Sequence, residues 1–294
     1  MCDYLDVHSS EEPSRRVIIF CLDENKTKLS TINHVFCDGT FKTCSPPFKQ
    51  LYVMHGDIGS SLTSTNVVPL LYALLSDKTA ETYDIFFKMI KSQVTSFNPK
   101  KFNIDMEKAV VKAIKENFSE ADINICYFHV KKSIRKKGKQ LNLIKNKYTR
   151  RVLDLCSAMA LLPVNYMSEG WNYINKYISS MSDDYPKILK LKRYMNFWLK
   201  NDDVKNMWSV FSERHRTNNC SESWNSCFFK MIGRRRPDII QLLNALKRDA
   251  EQKRRQTKKI RRTNEIANDK FVQETQLELL NNEITVGQFL DIVR

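Results

Sequence analysis

The sequence predicts a mixed α/β fold, in which a strand-and-helix sheet is interrupted by an all-helical insertion. Short runs rich in β-branched and aromatic residues recur through residues 17–128, and amphipathic helical segments alternate with the later ones. From about Leu141 to Arg216 the strand signals stop, while aromatic-rich and Lys-rich helical segments continue. With 294 residues, 42% of them hydrophobic, the chain can bury one large domain or two modest ones.

Val17–Leu22 (VIIFCL), Val35–Phe41 (VFCDGTF) and Gln50–Ile58 (QLYVMHGDI) read as strands, and three in succession predict an antiparallel meander. Over 79–94, Tyr83, Phe86, Phe87, Ile90 and Val94 recur at helical spacing, with Thr79 as N-cap and Glu81 in the first turn. Phe102–Ile104 is a short strand after Pro99. Val110, Ala113, Ile114 and Phe118 mark a helix over 107–118, and Ile123–Phe128 (INICYF) is a further strand. Three strands, helix, strand, helix, strand is the order of an RNase H-like mixed sheet, although other α/β domains share parts of it.

Beyond it, Leu153–Leu162, Trp171–Ile178 and Ile188–Trp208 read as helices broken at Pro163 and Pro186. Ser221–Ile232 is a helix ended by Gly233, and after Pro237 an amphipathic helix opens with Ile239, Ile240, Leu242, Leu243 and Leu246. The expected organisation is a first part of the core at 17–140, a helical insertion at 141–216, a final core helix with a basic helix at 217–262, and a C-terminal helical tail at 263–294.

A net charge of +15 favours polyanionic partners, because each phosphate met by Lys or Arg releases condensed counterions. Nucleic acid leads and an anionic membrane surface follows. Two basic stretches concentrate the charge: KKSIRKKGKQLNLIKNKYTRR at 131–151, which has no acidic residue, and KRDAEQKRRQTKKIRR at 247–262. Either alone reads equally as a solvated helix face; as a pair they point to phosphate contact by Lys131, Lys132, Arg135, Lys136 and Lys137 in the first and Lys253, Arg254 and Arg255 in the second. The second also fits a nuclear-import signal, so a nuclear location is expected. The N-terminus lacks a secretory pattern and no apolar run approaches the roughly eighteen residues of a membrane span, so an intracellular chain without a membrane partner is expected. The eight cysteines are scattered without a CxxC pair, which predicts reduced thiols.

Three carboxylates stand out. Asp38 lies inside an apolar run, where an unpaired charge is costly, although Asp-Gly is also a hairpin-turn signal. Asp105 follows the strand FNI at a helix entry, where an N-cap is the alternative. Glu222, in TNNCSESWN, could form a capping box with Asn219. Together the three meet the demand of two-metal phosphoryl transfer, a small set of carboxylates converging on cations about 4 Å apart.

FCDGTFKTCSPPFKQLYVMHG, FNIDMEKAVVKAI leading to ICYFHVKKSIRKK, and TNNCSESWN together resemble the MULE transposase domain of Mutator-like elements, a DDE-type family. The resemblance rests on the ordered set: Asp38 in a DGTF strand, Asp105 with Glu107 and Ala109, Cys126 with His129 at CxxH spacing, and Glu222 between Asn219 and Asn225. It extends over most of residues 17–250. It implies an RNase H-like core with a helical insertion before the last acidic residue, Mg²⁺ or Mn²⁺ held by Asp38, Asp105 and Glu222, and terminal-inverted-repeat and target DNA as substrates. Strand cleavage by water, attack by the freed 3′-hydroxyl and a homo-oligomer holding two ends are implied as well.

Cys126 and His129 could begin a zinc site, but a second pair would need His215, Cys220 and Cys227 to fold back, so structural zinc is not expected. His129 is expected either to contact the scissile phosphate or steady a metal ligand, or to be a satisfied half-buried histidine. The competing function is a domesticated or inactive transposase-derived DNA-binding protein. An RNA-binding helical protein is disfavoured by the lack of RNP-type and GXXG signatures.

Overall fold

The computed structural model describes residues 6–9, 15–180, 185–254 and 259–294. The chain forms β1 (Asp6–Ser9), β2 (Val17–Cys21), α1 (Asp23–Thr31), β3 (His34–Thr40), β4 (Gln50–Asp57), β5 (Ser64–Thr65) and β6 (Val67–Leu75). There follow α2 (Ala80–Gln93), β7 (Lys101–Ile104), α3 (Lys108–Asn117), β8 (Asp122–Ile125), α4 (Tyr127–Gln140), α5 (Lys147–Ala158), α6 (Met167–Ser179), α7 (Tyr185–Leu199) and α8 (Asp202–Trp208). The last elements are α9 (Asn219–Ile232), α10 (Ile239–Arg254), β9 (Lys259–Ile260), α11 (Thr263–Leu280) and α12 (Val286–Val293). Two compact units result, one of Met1–Ile123 with Asn218–Arg261, the other of Asn124–Thr217 with Arg262–Arg294.

The sheet unit is built on a mixed sheet of order β1-β2-β6-β4-β3-β7-β8. Strands β3, β4 and β6 form the antiparallel meander, and β7 joins β3 in parallel, with Phe36 opposite Asn103. The two faces separate by the strand period of two. Leu51 and Val53 of β4 pack with Trp224 and Phe228 of α9 and with Leu242 and Leu246 of α10. Between them, Tyr52 points the other way and meets Tyr83 and Phe86 of α2 with ring centroids at 5.2 and 5.5 Å. On that side Phe102 of β7 meets Phe118, just past α3, at 5.1 Å. Helices therefore cover both faces, and the sheet between them reads as near-continuous apolar runs.

The meander differs from its expected membership. Its third strand is Val67–Leu75, whereas Val17–Cys21 pairs antiparallel with β6 and lies outside the meander. The sequence concealed β6 because VVPLLYALL is apolar without alternation and contains Pro69, which demotes a run read as a central strand. Pro69 is tolerated because it stands at the register shift between Met54 and His55. Helix α1, DENKTKLST, was also hidden, since only Asn25 and Leu29 of it are buried. The strand expected over 123–128 ends at Ile125, and Tyr127 and Phe128 open α4 instead.

The helical unit contains α4 to α8 with α11 and α12. The expected C-terminal tail at 263–294 thus lies in the unit that holds most of the insertion. Leu155, Leu161, Ile174, Trp208, Phe289 and Leu290 are fully or almost fully buried in it. Asp291 of α12 accepts from Arg151 Nη2 at 2.7 and 2.8 Å and from Tyr173 Oη at 2.6 Å, which ties α12 to α5 and α6. Arg216 pairs with Asp269 of α11. A Cβ at Gly138 of α4 would come within 2.3 Å of Leu153 Cδ1, so α4 packs closely on the Leu153 side chain of α5 at this glycine. Pro163 separates helical segments as expected, but Pro186 lies in the first turn of α7, where its missing N–H costs nothing.

Candidate active site

Asp38 stands in the middle of β3, opposite Val53 of β4, with Gly39 opposite Tyr52. Asp-Gly is therefore strand here and not a turn. Glycine is needed because a Cβ would approach Gln50 Oε1 to 2.4 Å, and Gln50 is itself held by a 2.7 Å bond from its Nε2 to Tyr83 Oη. The neighbouring Cys37 faces Tyr52 on the α2 side. Burial pushes its thiol up to about 12, against a hydrogen bond from Tyr52 and with a smaller push from Asp38. Alternation then turns Asp38, which is 9% exposed, toward α9.

Asp105 is placed by the parallel pairing of β3 with β7. That pairing runs to Phe36 opposite Asn103, and Asp105 is the first residue after β7 ends at Ile104. The N-cap of α3 is Glu107, without a side-chain capping bond, so Asp105 does not cap the helix. Glu107 instead pairs with Lys78 at 3.3 Å.

Helix α9, which carries Glu222, is fixed to β3 and β7. Asn218, fully buried, is its N-cap, and Asn218 Nδ2 donates long bonds to Cys37 O at 3.3 Å and Asn103 O at 3.4 Å, straddling the two parallel strands. One turn later the Glu222 N–H bonds Asn218 O at 3.0 Å, and Asn225 Nδ2 donates to Asp38 Oδ2 at 2.8 Å. Positions 218, 222 and 225 share one stripe of the helix. Glu222 is thus framed by two residues that touch β3 and its neighbour. The capping box with Asn219 is not formed, since the N-cap is Asn218 and no side-chain capping bond is made.

A buried polar network fixes α9 to the sheet. Asp249 Oδ2, on α10, accepts from Tyr72 Oη of β6 at 2.6 Å and from Trp224 Nε1 of α9 at 2.8 Å. Burial first, and Asp249 second, push the Tyr72 hydroxyl well above its usual range. Ser221 Oγ and His55 Nδ1 lie 3.2 Å apart, and the Trp224 ring stacks on Phe228 at 4.5 Å. Sequence reasoning missed Asn218, Ser221, His55, Tyr72 and Asp249. One signal was available: Asp249 continues the Leu242, Ala245, Leu246 stripe of α10, and an acid on an apolar stripe demands buried donors.

The other expected site residues belong to the helical unit or lie outside the described residues. His129 is half-buried in the first turn of α4, with the Phe128 ring 5.5 Å away, and Cys126 is buried just before that helix. Lys132, Arg135 and Lys136 are exposed on α4, while Lys131 and Lys137 are partly covered. Arg135 is engaged with Asp154 at 3.2 Å. Arg255 and the side chains of Lys253 and Arg254 lie outside the described residues.

Residues 34–133 match the family model described as the MULE transposase domain. Over this segment the chain is similar to the MULE transposase domain. The matched stretch is shorter than the resemblance drawn from the motifs; it includes Asp38, Asp105, Cys126 and His129 and ends before Glu222. A search of curated proteins finds no match. Asp38 and Asp105 fall inside the matched segment, and Glu222 lies beyond it on α9, whose Asn225 bonds Asp38.

Proposed function

We propose that the sheet unit is the RNase H-like catalytic core of a Mutator-like DDE transposase, cleaving and transferring DNA strands with Mg²⁺ or Mn²⁺. The observation that carries the proposal is the 2.8 Å bond from Asn225 to Asp38, which ties the helix that bears Glu222 to the strand that bears Asp38, while Asp105 follows the parallel neighbour β7. Support for the fold reading comes from the run β6-β4-β3-β7-β8, a three-strand meander extended by two further strands on the side of its first strand.

The donor set fits a hard divalent cation, which takes oxygen ligands, and Asp38, Asp105 and Glu222 would hold it. Bound there, such ions supply activation of the attacking oxygen and neutralisation of charge on the leaving oxygen. The chain's own contribution is preorganisation. Asn225 fixes the Asp38 carboxylate, Asn218 pins the start of α9 across the strands, and the Asp249 network keeps that helix from shifting. The net charge of +15 and the exposed lysines and arginine of α4 suit a DNA partner.

The test is nicking of a duplex carrying the sequence that flanks the gene, with Mg²⁺, Mn²⁺ or EDTA. Asp38→Asn, Asp105→Asn and Glu222→Gln should each lower nicking by orders of magnitude and leave DNA affinity nearly unchanged, while His129→Ala should cost less. DNA binding without metal-dependent nicking by the unmodified chain would instead identify a domesticated DNA-binding protein.

A further inference from the structure

We propose that Asn225 is itself a ligand of the site, holding Asp38 with one end of its amide and offering its carbonyl oxygen Oδ1 to the divalent cation with the other. The inference rests on the metal-binding part of the function proposed above. An ionised carboxylate only accepts hydrogen bonds, so the Asn225 amide must turn Nδ2 toward Asp38 Oδ2, as the 2.8 Å bond records. That orientation fixes where Oδ1 goes. Oδ1 is buried and has no hydrogen-bond partner among the described residues, and a buried carbonyl oxygen without a donor is unfavourable in a folded protein. A cation beside Asp38 relieves this, because hard divalent ions accept amide carbonyls alongside carboxylates. A neutral ligand has a further merit next to Asp38, Asp105 and Glu222. It adds coordination without adding a fourth negative charge to a half-buried cluster.

The experiment is Mn²⁺ titration of the full chain, followed by electron paramagnetic resonance and without DNA, for the parent, Asn225→Ala and Asn225→Asp. Thermal unfolding of each metal-free protein confirms that the variants are folded. Asn225→Ala should weaken Mn²⁺ binding by about tenfold. Asn225→Asp, which keeps an oxygen at the position, should bind at least as tightly as the parent while melting at a lower temperature without metal, because its carboxylate would face Asp38. Parent-like affinity in Asn225→Ala, or equal weakening in both variants, overturns the inference. Saturable binding in the parent with no nicking would overturn the proposed transposase chemistry and leave Asn225 as a ligand, whereas no saturable binding in the parent overturns both.

Discussion

Helices α9 and α4 both carry residues singled out from sequence, yet the molecule treats them in opposite ways. Along α9, Asn218, Ser221, Trp224 and Asn225 each hydrogen-bond a strand or α10, and their partner residues Cys37, Asn103, His55, Asp249 and Asp38 are all buried. Along α4, the charged residues Lys132, Arg135 and Lys136 face solvent, and the described ion pair of Arg135 with Asp154 is itself an exposed one. The contrast separates two physical tasks. Aligning side chains on a helix requires that it cannot slide, so α9 is fixed through buried hydrogen bonds to its neighbours. Meeting a polyanion requires mobile, hydrated charge, so such groups stay outside and contribute little to stability.

The largest effect is expected at Asp249. Asp249→Ala strands the Tyr72 hydroxyl and the Trp224 indole N–H, both buried, and should lower stability by roughly 3 kcal/mol or more in denaturant unfolding. A loss below about 0.5 kcal/mol would mean that the network does not hold α9.

The opposite behaviour is expected on α4. Replacing Lys132 and Lys136 by Gln should leave stability within about 0.5 kcal/mol, since both side chains are exposed. The dependence of log DNA affinity on log salt should flatten by roughly one unit per lost phosphate contact. An unchanged salt slope would remove α4 from the DNA-contacting surface.

The same contrast explains what the sequence could reveal. Most helices were legible because one face is buried, as with Tyr83, Phe86, Phe87 and Ile90 of α2, and period carries that information. Strands β2, β3 and β4 were legible from β-branched and aromatic runs. Strand β6 was not, because burial on both faces erases alternation and Pro69 mimics a break. For the three carboxylates the structure bears on the local alternatives alone: Asp38 lies mid-strand, the N-cap of α3 is Glu107, and the capping box of Glu222 is absent. Asn218 and Asp249 escaped because their partners, Cys37, Asn103, Tyr72 and Trp224, are distant in sequence or on other elements. Nothing local marks such long-range bonds apart from a polar residue on an apolar stripe.

In the proposed function Asp38, on a strand, and Glu222, on a helix far along the chain, serve one site. A double-mutant cycle on the metal-dependent nicking rate tests it directly, with Asp38→Asn, Glu222→Gln and the two combined. Residues acting as a unit lose most of the rate when either is removed, so the double variant should be about as slow as the slower single variant. If the two losses multiply, the carboxylates act independently and the single-site account is contradicted.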